Sequence, residues 1–302
     1  MFSVFSGALD ERKYEEEVRM NSKGITVLFT PNNTASQNIA NELIKYGFDK
    51  TSDNEWRRAN VKIIKTNVPS VLEIPTDFDT EFILVLSSHK SVKGGKMLTV
   101  HFPGNWNDAK FGGDERTLNI ACARMLKMLI TELETENRKL KWPLVLEADH
   151  HGPTCDVPIM FVEIGSTEEE WKDEDAAKIV AKAVSEFLSK QETENRKPDA
   201  GNQDAGLKTG NQQPNTVFAI GGGHYAKEFT EMALDPEMNI AIGHILPKYA
   251  IDKLDEDVFR QAIEKNVEKI DKIVMLKEST NVSQKKKIME LAEKYGTEIE
   301  MR

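Results

Sequence analysis

Four of the six histidines sit in three short glycine-bearing segments that read as loops: His150 and His151 in LEADHHGPT, His224 in IGGGHYA and His244 in IGHILP. The other two, His89 and His101, occupy the ends of apolar, strand-like runs. Imidazole ligates zinc and also changes charge near neutral pH, so histidines placed this way predict a polar working site.

LEADHHGPT is the densest of these segments. Glu147, Asp149, His150 and His151 precede a turn at Gly152 and Pro153, and Thr154, Cys155 and Asp156 follow it. Neighbours on an extended segment point to opposite sides, so one histidine can ligate while the next orients substrate or a second metal. A hydrogen-bonded loop is the plainer reading, and Cys155 beside His150 or His151 is a possible nucleophile. Glu163 lies inside the apolar run IMFVEIGS, where an unpaired carboxylate is expensive to bury. It therefore calls for a partner, either in a structural ion pair or as a general base or metal bridge. Gly221, Gly222 and Gly223 fall at a strand-to-helix turn, where backbone N–H groups can cradle an anion. The Lys-Ser/Thr of a P-loop is missing there.

Positioning these groups falls to alternating strands and helices. Apolar β-type runs occupy 25–29, 61–65, 82–86, 97–101, 158–164, 216–220 and 272–276, with a last edge strand at 298–301. A further run at 239–242 leads into Gly243 and His244. Helical spacing marks 34–46, 115–138, 168–190, 226–234, 256–270 and 283–295, with Thr34 as an N-cap and Gly47 at a left-handed C-cap. The alternation predicts an α/β fold, with a mostly parallel or mixed central sheet, helices on both faces, and sites beyond the carboxyl ends of strands. Residues 1–23 read as a charged extension outside a domain spanning 24–302, and about 191–215 as a mobile polar insertion.

Composition narrows the setting. The 302 residues are 39% hydrophobic and 30% charged, enough for one large core or two linked ones. No apolar run approaches the roughly 18–20 residues that span a bilayer, so no membrane contact is expected and the expected location is cytoplasmic. Two cysteines, Cys122 and Cys155, suit a reducing compartment. A net charge of −10 argues against general coating of nucleic acid, so any RNA contact must be local. Lys90, Lys93, Lys96, Lys110, Arg116, Arg124 and Lys127 gather near the first two histidines, as a solvated face or an RNA path.

Taken together, ASQNIANELIKYGF at 35–48, SSH at 87–89, LTVHFPGNW at 98–106, LEADHHGPT at 146–154, FVEIGSTEEEW at 161–171, GGGHYAKEFTEMAL at 221–234 and IGHILPKYA at 242–250 resemble the archaeal and plant type of D-aminoacyl-tRNA deacylase. The match holds in order and spacing from about residue 25 onward. The 1–23 extension, the polar insertion and the SVKGGK stretch depart from it. The resemblance implies a zinc-dependent enzyme with a phosphorylase/hydrolase-like core, and a monomer is the expected state. It would hydrolyse the ester of D-aminoacyl-tRNA, clearing mischarged tRNA. It also implies more than one zinc ion. His101, His150, His151 and His224 are the first ligands expected, and His89 and His244 the next. Glu163, Glu147 and Asp149 are the expected catalytic groups, with Gly221, Gly222, Gly223, Thr154 and Tyr225 on the substrate. Two other readings stay open, a small-molecule metallohydrolase of aminopeptidase or amidase type and a non-catalytic RNA- or nucleotide-binding module.

Overall fold

The computed structural model describes residues 23–92, 94–194 and 213–302. The expected extension at 1–23 lies outside the described residues except for Lys23, as do Lys93 and most of the expected insertion, 195–212.

Strands β1 (Ile25–Phe29), β5 (Phe82–Lys90) and β10 (Ile159–Ser166) are almost continuously buried, the pattern of strands covered on both faces. They pair in parallel at the centre of an eight-stranded sheet. On one side β1 meets β4 (Val61–Lys65) in parallel. The edge beyond is an antiparallel hairpin of β2 (Asp49–Ser52) and β3 (Glu55–Arg58). On the other side β6 (Met97–His101) runs antiparallel to β10 and parallel to β9 (Leu144–Leu146), so the sheet is mixed.

Alternation along the central strands divides the sheet chemically. Leu84, Leu86, Leu98, Val100, Val162 and Ile164 belong to the main core, which α1 (Thr34–Leu43), α2 (Ala123–Asn137) and α4 (Glu174–Glu194) cover. The opposite face carries Ser87, His89, Thr99, His101, Glu163 and Gly165 in adjacent register. The working groups thus lie on a sheet face as well as in loops.

Several element ends differ from the sequence reading. Asn33 caps α1 in place of Thr34, its side chain accepting from Ser36 N at 3.0 Å. Gly47 does take a positive φ of 80°. Helix α2 begins at Ala123, because residues 117–118 form β8 (Thr117–Leu118) against β7 (Gly104–Asn105). The Glu268 carboxylate then accepts from Ala123 N and Arg124 N at 3.0 and 3.3 Å. The 168–190 helix divides into α3 (Glu168–Trp171) and α4, with Asp173 accepting from Ala176 N at the restart.

A second, four-stranded parallel sheet is ordered β12 (Ile240–Leu246), β11 (Asn215–Ile220), β13 (Lys272–Met275), β14 (Ile299–Met301). One side packs Phe218, Ile220, Leu246, Ile273 and Met275 with Val258 and Phe259 of α6 (Glu256–Glu264) and Ile288 of α7 (Val282–Lys294). On the other side Val217, Ala219, Ile242 and Val274 enter the same core as the first sheet. Helix α5 (Lys227–Leu234) follows the glycine turn. His244 stands inside β12, not in a loop. Among the described residues no helix is long and apolar enough to cross a membrane.

Candidate active site

The polar face is assembled from residues two apart on three strands: Ser87 and His89, Thr99 and His101, Glu163 and Gly165. Gly165 makes room. A Cβ built on it would stand 2.9 Å from His89 Cβ and Cδ2, so only a glycine lets this imidazole lie across β10. There His89 Nδ1 comes 3.0 Å from Glu147 and 3.7 Å from Glu163. Its Nε2 lies 2.8 Å from the Tyr225 hydroxyl, and Trp171 Nε1 donates to its carbonyl at 2.9 Å.

The segment after β9 is held by both sheets. Glu147 N donates to Val100 O at 3.1 Å, Ala148 N to His224 O at 2.9 Å and Asp149 N to Ile245 O at 3.3 Å. Gly104 N reaches His151 O at 2.8 Å, and His151 itself adopts a left-handed φ of 50°. Three imidazoles converge here, with ring centroids 4.3 to 4.9 Å apart among His101, His150 and His151. Each directs Nδ1 to a backbone carbonyl: Phe102 O at 3.1 Å, Ala148 O at 2.9 Å and Gly152 O at 2.5 Å respectively. A carbonyl only accepts, so each Nδ1 carries the proton and each Nε2 keeps its lone pair for a ligand.

Electrostatics favours the same state. Burial, then the neighbouring histidines, holds His101 well below the ordinary imidazole range. The same order of causes pushes His150 down to about 3. Burial also lowers His151 to about 4, against its carbonyl contact. All three are neutral, as metal ligands must be. His89 goes the other way: burial opposes its charge, but Glu147 and Glu163 overcome that and push it up to about 11, so a metal bound there would have to displace its proton. Burial would raise Glu147, yet His224 and His89 hold its carboxyl well below the usual range.

Glu147 is the hub. His224 Nε2 lies 2.8 Å and His150 Nε2 3.5 Å from its carboxylate. These approaches lack hydrogen-bond alignment, so both Glu147 oxygens and His101 Nε2 are buried without a hydrogen-bond partner. Burying such atoms unsatisfied is costly, and a shared cation would satisfy them. Three sets place their ligand atoms within 4.8 Å of one another: His101, His150 and His151; His89, Glu147 and His224; and His101, Glu147 and Glu163. Nitrogen with few carboxylate oxygens suits zinc. The first two sets share no residue, so the donors suffice for more than one ion.

His244 is not brought into these sets. Its Nδ1 lies 2.5 Å from Asp149 Oδ2 and its Nε2 2.9 Å from Lys265 O, while Asp149 Oδ1 accepts from Ile245 N at 2.9 Å. Asp149 and His244 therefore clasp the histidine loop to β12. Thr154 is engaged too, its hydroxyl accepting from Asp114 N at 2.8 Å. Gly221, at φ +121°, donates to Leu246 O, whereas a Cβ on Gly223 would meet open space. Tyr225 borders the cluster through His89. Cys155 is 7% exposed, and burial raises its thiol. Sequence reading missed Ser87, Thr99 and Gly165. Their signal was the two-residue offset from His89, His101 and Glu163.

Comparison with known proteins decides the family. The model of D-aminoacyl-tRNA deacylase matches residues 76–300. The chain belongs to the D-aminoacyl-tRNA deacylase family. It is thereby an enzyme of the ester-hydrolase class. It is 32% identical to the D-aminoacyl-tRNA deacylase of Pyrococcus horikoshii over 287 residues, covering 90% of this chain and 97% of that protein. With the Ignicoccus hospitalis family member it shares 34% identity over 236 residues, 76% of this chain and 87% of that one. A crystal structure described as a conserved protein of unknown function superposes with a TM-score of 0.76 at 29% identity, covering 92% of this chain and 95% of that one. The segment that matches the family model contains all six histidines.

Proposed function

We propose that this chain hydrolyses the ester between a D-amino acid and the terminal ribose of tRNA, releasing both, with zinc as cofactor and residues 24–302 acting as one cytoplasmic, monomeric domain. The observation that carries the zinc reading is the pair of disjoint ligand sets meeting at Glu147, whose buried oxygens face imidazoles without a hydrogen bond, within a chain of deacylase family. His101, His150 and His151 would hold one ion through Nε2, and His89, Glu147 and His224 a second. Zinc held there lowers the pKa of bound water to about 7 and polarises an ester carbonyl.

The protein's own groups take the remaining roles. Glu163, 3.7 Å from His89 and 3.9 Å from His101, stands between the sets and is the general base for the attacking water. Thr99 Oγ1, 3.4 Å away, orients that carboxylate. The turn at Gly222 and Gly223, open at Gly223, offers N–H groups to the developing oxyanion. Tyr225 positions the terminal ribose from the side of His89. Asp149 and His244 fix the loop that carries Glu147, His150 and His151.

Metal analysis combined with deacylation of paired D- and L-aminoacyl-tRNAs tests cofactor, reaction and chirality together. The expected result is zinc in the purified protein, turnover of the D ester, and loss of both zinc and turnover in His101→Ala. Full turnover in a zinc-free His101→Ala protein would refute the zinc reading. Equal turnover of a free aminoacyl ester at every salt concentration would instead favour a small-molecule hydrolase, because tRNA binding weakens steeply with salt.

A further inference from the structure

Two large aromatic side chains stand in solvent beside the site, although rings of this size are ordinarily buried. Phe111 is 67% exposed and Tyr249 60%. Neither hangs on a loose segment. Phe111 O accepts from Gly152 N at 3.1 Å, next to His151. Asn105 Nδ2 donates to Gly112 O and Asp114 O at 2.9 and 3.1 Å. Gly113 packs so closely on Gly152 that a Cβ there would come within 2.3 Å of Gly113 N. The backbone that presents Phe111 is thus fixed to the histidine loop.

Tyr249 belongs to the 3-10 turn Lys248–Lys253 that follows β12. Lys248 N donates to Gly222 O at 3.1 Å, tying this turn to the glycines before His224. Asp108 Oδ2 lies 3.7 Å from Lys110 Nζ and 3.9 Å from Lys253 Nζ, so the Phe111 loop and the Tyr249 turn are neighbours. Lys110, Lys248 and Lys253 are all exposed. The surface therefore combines two exposed aromatic rings with three lysines, two of which flank Asp108, on a chain of net charge −10.

We propose that Phe111 and Tyr249 are stacking platforms for the unpaired 3′-terminal nucleobases of tRNA, with Lys110 and Lys248 meeting the phosphates between them. This rests on the deacylase reading. The chemistry selects a single strand over a duplex, since only unpaired bases expose faces to a side chain and only a strand end can bring its terminal ribose to the cluster. Stacking is indifferent to base identity, which suits an enzyme that meets many tRNAs.

The test compares Phe111→Ala, Tyr249→Ala and the double variant with wild type on one D-aminoacyl-tRNA. Each single change should raise KM about tenfold, with kcat within about twofold and zinc content unchanged. Phe111→Tyr and Tyr249→Phe should restore KM, whereas Phe111→Leu and Tyr249→Leu, which keep bulk without a π face, should not. Binding of uncharged tRNA supplies a second arm. Wild type should bind intact tRNA at least tenfold more tightly than tRNA trimmed of its four unpaired 3′ nucleotides, and the double variant should bind both alike. Unchanged KM, rescue by leucine, or an equal trimming penalty in wild type and double variant would overturn the proposal; rescue by leucine points to an apolar protein partner. Absence of any deacylation by wild type would defeat the deacylase reading, while the trimming arm still decides the stacking.

Discussion

Gly165→Ala isolates the placement of one imidazole. The added Cβ would lie 2.9 Å from His89 Cβ and Cδ2 and 3.2 Å from Cγ. Non-bonded carbons rest about 3.5–4.0 Å apart, so the ring must retreat by roughly 0.6–1.1 Å. Gly165 has no left-handed φ, so it is the contact with His89 and not a left-handed backbone that opposes a side chain here. The retreat carries Nδ1 away from Glu147, now 3.0 Å off, and Nε2 away from the Tyr225 hydroxyl at 2.8 Å. Misplacing a ligand or its support by this much costs about 10–100-fold in metal affinity or rate. Overpacking adds about 1–3 kcal/mol of destabilisation. Steady-state deacylation should therefore show kcat/KM down 10–100-fold, with zinc content reduced and only a modest fall in Tm. Wild-type kcat/KM with full zinc would refute the placement of His89 across β10.

Asp149→Asn keeps shape but removes the charge facing His244. Breaking a buried pair of this kind costs about 3–5 kcal/mol, so the denaturant midpoint should fall markedly, and an unchanged midpoint would contradict the clasp. Cys155→Ala should leave deacylation within about twofold. Since burial raises the Cys155 thiol, iodoacetamide labelling should be slow at pH 7 and accelerate only above the ordinary thiol pKa of about 8.5. Rapid labelling at pH 7 with loss of turnover would reinstate a thiol nucleophile.

Much of the frame could be read from alternation and caps. The runs at 25–29, 61–65 and 97–101 are strands with those limits, because each is a short run rich in apolar and β-branched residues. The hairpin of β2 and β3 was illegible: DKTS and EWRR are mostly polar residues on an exposed sheet edge, with no apolar stripe to betray them. The early start expected for α2 failed for a different reason. Its first N–H groups are capped by Glu268, 145 residues away, and no local signal encodes that. Within the site, the histidines and Glu163 announced themselves by type. That His244 faces Asp149 was hidden, since residue type does not reveal which neighbour a side chain meets across two sheets. Phe111 and Tyr249 likewise look like core residues in the sequence, and only their exposure sets them apart.

Glu147 is fixed by partners from both halves of the chain. Val100 O and His89 reach it from the first sheet, and His224, Tyr225 and Ala226 reach its segment from the second. No contiguous fragment contains both His89 and Tyr225 unless it spans their sequence separation of 136. Neither sheet alone is a smaller, weaker version of the enzyme. The carboxylate gains its surroundings only when the two sheets dock, so turnover reports on that docking and is lost when the sheets part.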